Sequence, residues 1–162
     1  MSSTAIFALA FGIGIIAGLR SMTAPAVVSW AARLGWLHLE STPLAFLGYA
    51  ATPYIIGLLA LVELVADKLP KTPSRKTPVP FGARIVMGAL SGAALVAGSG
   101  QSALVGALGG AVVGALGGLA GTLGGYQLRT GLVRALKVLD FVVALLEDAV
   151  AVGGGLFLVS RF

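Results

Sequence analysis

The sequence predicts an all-α integral membrane protein. Three observations carry this. Of 162 residues, 57% are hydrophobic and only 10% are charged, against about 25% charged in soluble domains. The mean hydropathy is +0.99. The apolar residues fall into five runs, each near the ~20 residues a membrane-spanning helix needs. So few charges cannot cover a water-facing surface, and the length suits one transmembrane helical domain over residues 1–162.

The first run covers Thr4 to Leu19. It lacks a basic segment before it, and Ala24-Pro25-Ala26 is a poor cleavage site, so it reads as a retained helix and not a signal peptide. Arg20 to Leu37 follows, with Pro25, Trp30, Arg33 and Trp36 among small apolar residues. Paired tryptophans favour headgroup level, so this segment is read as an interfacial or re-entrant helix; if it spans, the count becomes six. The second run covers Leu44 to Ala66, with Pro53 as an expected kink. The third runs from Gly82 to Ala97, the fourth from Ser102 to Leu123 and the fifth from Val138 to Val159.

Orientation follows from the basic residues. Lys68, Lys71, Arg75, Lys76 and Arg84 form one group, and Arg129, Arg134 and Lys137 a second. Two runs separate them, so both groups fall on one side, which the positive-inside rule makes cytoplasmic. Five spans then put the N-terminus inside and the C-terminus outside. Pro70, Pro73, Pro78 and Pro80 predict an extended first basic loop. The formal charge of +5 is explained by topology, so no nucleic-acid partner is expected.

The chemistry lies in acids within apolar helices. An ionised group near mid-membrane costs about 2.5 kcal/mol or more, so such groups usually face a protein interior or a wet cavity. Glu63 and Asp67 stand at i,i+4 on one face of the second helix, followed by Lys68. In the fifth helix Asp140, Ala144, Glu147, Ala151 and Gly154 share a stripe, opposite Val142, Leu145, Leu146, Ala149, Val152 and Leu156. Small and polar residues mark the packed face of a membrane helix. Glu147 lies about 13 Å along its helix, and Asp148 lies at the edge of the stripe. Glu63, Asp67, Glu147 and Asp148 therefore form the expected intramembrane acidic site. Arg20 and Arg84 are the expected counter-charges, and Arg84 shares a stripe with Gly88, Ser91 and Gly98. The simpler reading of these acids is a set of structural ion pairs.

Gly106, Gly110, Gly114 and Gly118 recur every fourth residue of the fourth helix. Such a groove lets backbones approach closely, within the chain or across a dimer, and a homodimer or higher homo-oligomer is the expected state. Ala60-Leu61-Val62-Glu63 echoes Ala144-Leu145-Leu146-Glu147, and Leu19-Arg20-Ser21 echoes Leu128-Arg129-Thr130. These echoes would suit an inverted-topology repeat.

Other chemistry is thin. There is no cysteine and His38 is the single histidine, which removes thiolate chemistry and most triads and transition-metal sites. Ser21, Ser91 and Thr122 have no evident base in the sequence. Glu63 and Asp67 could hold a divalent cation through oxygen ligands; no other cofactor is expected, and the enzyme reading is the weaker one.

At these residues the chain resembles the small bacterial membrane proteins catalogued as domain of unknown function 4126. The matching elements are Gly18-Leu19-Arg20 with Pro25 downstream, Glu63-x-x-x-Asp67-Lys68-x-Pro70, Arg84-x-x-x-Gly88-Ala89 and Glu147-Asp148. They span nearly the whole chain. The resemblance implies a multi-pass protein of the bacterial inner membrane and supplies no activity. The expected function is a small transport or channel-like protein whose acidic site handles a cation, proton or small solute. The alternative is a lipid-binding or membrane-assembly protein in which the buried charges are structural. Membrane lipids are partners in either case.

Overall fold

A computed structural model describes residues 1–68, 77–100, 103–136 and 140–162. Six α-helices follow in order: α1 (Ser3–Leu19), α2 (Thr23–Arg33), α3 (Thr52–Ala66), α4 (Pro78–Gly98), α5 (Ala103–Leu136) and α6 (Asp140–Val159). A 3-10 turn, Ala45–Gly48, precedes α3. There is no strand among the described residues.

Local chemistry sets the helix starts. Ser2 caps α1, its hydroxyl accepting from the Ala5 amide at 3.3 Å. Pro53 stands in the first turn of α3, where a missing N–H costs nothing. It therefore starts a helix at Thr52 instead of kinking one that begins at Leu44. Pro78 and Pro80 play the same part in α4 and are helical, not extended; Pro70 and Pro73 lie outside the described residues. The helix α5 continues through Tyr126 to Leu136, a stretch expected as a basic loop. Its 34 residues extend about 51 Å at 1.5 Å per residue.

Glycine fixes the packing. Gly109, Gly117 and Gly121 of α5 face Phe7, Phe11 and Ile15 of α1, so these two helices run parallel. Gly110, Gly114 and Gly118 face Gly92, Gly88 and Arg84, so α4 runs antiparallel to α5. A methyl group on Gly18 would stand 2.5 Å from both the Gly118 carbonyl oxygen and the Thr122 amide nitrogen. The groove is thus filled by α1 and α4 of the same chain; Gly106 at its near end is half-buried. In α6, Gly154 faces Ile16 and Gly12 of α1 faces Leu158, so α6 runs against α1.

The helix α2 is the main departure. Nine of its residues are buried, and it packs against α1, α3, α4 and α6. It runs through the interior of the bundle. Trp30 is half-buried, its ring edge-on to Tyr54 at 5.1 Å. Because α2 returns through the bundle, Met1 and Phe162 line one pocket with Trp36 and Ser99. Both termini therefore lie at one end, where the five-span reading required opposite ends.

Among the described residues, three helices are long and apolar enough to cross a membrane: Pro78–Gly98, Leu104–Ala135 within α5, and Asp140–Val159. The apolar helices α1 and α3 are shorter. The outward faces are greasy: Ile55, Leu58, Leu61 and Val65 on α3, Val105, Leu108 and Val112 on α5, and Leu145, Leu146 and Leu156 on α6 are all exposed. A soluble monomer rarely shows apolar patches of this extent, and the surface is consistent with a membrane protein.

Candidate functional site: a buried charge cluster

Arg20 ends α1. Its backbone is extended and its N–H donates to the Ile16 carbonyl at 2.8 Å, after which the chain turns back into α2. The side chain projects into the junction and is 0% exposed. A guanidinium sealed from water needs acceptors, and α3 and α6 supply them. Nε donates to Asp148 Oδ1 at 2.6 Å, Nη1 donates to Asp67 Oδ2, and Nη2 stands 3.6 Å from Glu147 Oε2.

Each of these carboxylates meets a second cation. Lys68 Nζ donates to Asp148 Oδ2 and, at 2.7 Å, to the Leu64 carbonyl. Arg129 Nη1 lies 3.7 Å from Asp67 and 3.6 Å from Glu147. Its Nε and Nη2 hold Asp140 in a two-bond fork at 2.8 and 2.5 Å. Five of the six acids in the sequence meet here, from α3 and α6.

Glu63 does different work. Its Oε1 accepts from the Ser21 amide at 2.8 Å and the Ser21 hydroxyl at 2.7 Å, and its Oε2 accepts from the Met22 amide at 2.8 Å. Met22 offers α2 no side-chain cap. Glu63 fills that place from α3, satisfying backbone donors and setting a negative charge against the helix N-terminus. Arg84 Nη2 stands 4.0 Å from Glu63, while Nη1 donates to the Pro80 carbonyl at 3.2 Å. Glu63 and Asp67 thus serve different partners. Among the described residues no group of three or more acids or histidines is disposed to hold a metal ion.

The structure brings Arg20, Glu63, Asp67, Arg84, Glu147 and Asp148 to one end of the bundle. Within α6 the packed stripe is Ala144, Asp148, Ala151, Gly155 and Val159. It is centred on Asp148, with Glu147 half-buried beside it, where Glu147 was expected at the centre. The opposite face, from Val142 to Leu156, is exposed as expected. Sequence reasoning missed Arg129 as a partner of the acids and placed Lys68 with the cytoplasmic basic residues at a helix end. The signal for Arg129 was present: it sits in the echo of Leu19-Arg20-Ser21, and both echoed arginines reach Asp67 and Glu147. The echoes are not one inverted repeat, because α1 and α5 run parallel while α3 runs toward the cluster and α6 away from it. Ser21 donates to Glu63, and Thr122 Oγ1 donates to the Gly118 carbonyl at 2.7 Å. His38 is exposed at the far end.

Beside the cluster, α5 and α6 leave a cleft of about 130 Å³. Leucines and valines wall it, and Arg129 and Glu147 are its charged lining.

The family model described as Domain of unknown function (DUF4126) matches residues 7–160. No curated protein and no solved structure matches the chain.

Proposed function

The chain belongs to that family, and from this premise and the charge cluster we propose a small membrane transport protein whose acidic site handles a proton or a small charged solute. One observation carries the reading. Arg20, wholly buried, is shared among carboxylates of two helices, and Asp67, Glu147 and Asp148 each have a second cation. A structural ion pair needs one partner on each side. Shared partners allow a carboxylate to release one cation while another keeps it compensated, which limits the large cost of a lone buried charge. Intramembrane ionisable groups arranged in this way are the usual means of moving protons and ions.

The bundle has an even number of passes when α2 is counted. The positive-inside rule then sets the cluster end, with Lys68, Arg84, Arg129 and Arg134, toward the cytoplasm and both termini on the other face. The bacterial inner membrane is the proposed location.

The test is proton flux into liposomes carrying the purified protein. Glu147→Gln removes the carboxylate charge while keeping its shape. Flux falls at least about tenfold, a barrier increase of about 1.4 kcal/mol, in a protein that still folds. Full flux through Glu147→Gln liposomes refutes the assignment. The second reading, a lipid-binding or assembly protein with a structural cluster, is favoured by the apolar cleft; it requires retained lipid and no flux in the unaltered protein.

A further inference from the structure

The cleft between α5 and α6 is walled by Leu19, Leu128, Leu132, Leu146 and Val150, with Arg129 and Glu147 as its charged lining. Leu128 and Leu146 are largely exposed, so the cleft opens sideways from the bundle. Such walls admit an apolar chain and oppose a bare charge. Behind Glu147 stands Arg20, 0% exposed, whose Nη2 has no hydrogen-bond acceptor among the described residues and lies 3.6 Å from Glu147 Oε2. Arg129 Nη1 lies at the same distance from that oxygen. Two guanidinium groups therefore face one carboxylate oxygen at more than hydrogen-bond length. Buried donors are normally satisfied, and an arginine fork suits a carboxylate.

We infer that this cleft binds single-chain aliphatic carboxylic acids, which enter neutral and leave their proton on Glu147. The inference deepens the transport reading and rests on it for the role of Glu147. The step balances: the O–H bond of the incoming acid breaks, a Glu147 oxygen gains the proton, and the new carboxylate pairs with Arg129 and Arg20 in place of Glu147. The charge of the cluster does not change. Among the described contacts of the two arginines and of Asp148, the remaining pairs stay as they are: Asp67 and Asp148 on Arg20, Lys68 on Asp148, and Asp140 on Arg129. An alkyl ammonium entering the same cleft would instead bring a positive charge against Arg129.

The probe is octanoate, titrated into the purified protein in lipid nanodiscs at neutral pH, with empty nanodiscs as the baseline. Binding is saturable and a proton is taken up for every octanoate bound. Leu146→Trp, which fills the cleft from its exposed rim, weakens binding by at least about tenfold, a factor worth about 1.4 kcal/mol. Glu147→Gln, already uncharged, still binds octanoate but takes up no proton. The inference is overturned if octanoate binds no better than to empty nanodiscs, if Leu146→Trp binds it equally, or if octylamine displaces it. These measurements read binding without flux. An octanoate site in a protein with no proton flux removes the transport reading alone, and proton flux without an octanoate site removes this one alone.

Discussion

Replacing Arg20 by glutamine removes the cation on which α3 and α6 converge. Glutamine keeps a donor but is about two bonds shorter, so both the charge and the reach to α6 are lost. Removing one partner of a buried ion pair costs about 3–5 kcal/mol. Here the three acids are not left alone: Asp148 keeps Lys68, while Asp67 and Glu147 keep Arg129 at 3.7 and 3.6 Å. The cost therefore belongs near the lower end, about 3 kcal/mol. For a chain of this size that corresponds to a fall in Tm of about 6–12 °C. Thermal unfolding in detergent, followed by the fluorescence of Trp30 and Trp36, measures it. The companion is Asp148→Asn, alone and combined with Arg20→Gln. The 2.6 Å bond between them is charge-assisted and buried, so the double-mutant cycle should return a coupling of about 1.5–3 kcal/mol. A Tm shift below about 2 °C, or additive single effects, would show that the cluster does not tie the helices together.

Two further outcomes follow from neighbouring geometry. Glu63→Ala leaves the Ser21 and Met22 amides without their acceptor and should cost about 2 kcal/mol, at the upper end for a lost helix cap; amide exchange should speed up at Ser21 and Met22 and not at the far end of α2, and uniform exchange would count against the capping role. Gly18→Ala places a methyl group 2.5 Å from backbone atoms of α5 and should prevent assembly, whereas Gly124→Ala meets nothing within 4 Å among the described residues and should be neutral or add up to about 1 kcal/mol of stability. Equal melting temperatures for the two variants would contradict the close approach of α1 to α5.

The helical class and most helix cores were legible in the sequence, because long apolar runs in a charge-poor chain must satisfy their backbone polar groups internally, and a helix does so within a single segment. The joints were harder. Pro53 reads equally as a kink or a start, and only the 3-10 turn before it decides. Arg129 and Arg134 carry topological information, and that signal masked their place inside a helix. The helix α5 is apolar or glycine on all sides over its first five turns, so periodicity cannot say which face meets α1 and which meets α4. The acidic site was legible as a set, since each member is costly in an apolar helix. Its internal order was not. Glu147 and Asp148 are adjacent, and choosing the buried one needs the neighbours of α6, which sequence spacing does not supply. The role of Glu63 was hidden for a similar reason: its partners are the Ser21 and Met22 amides, and main-chain donors leave no residue-type signature.

The reach of Arg20 has a consequence for how the chain is made. Its partners lie 47 and 128 residues downstream, at Asp67 and Asp148. During synthesis the first helix emerges with its terminal guanidinium uncompensated, and full neutralisation waits for the last helix to arrive. Until then the nascent polypeptide must shelter that group in the insertion machinery or at the bilayer surface. A truncated product lacking α6 would leave Arg20 with Asp67 alone, without the Asp148 and Glu147 carboxylates that complete its burial.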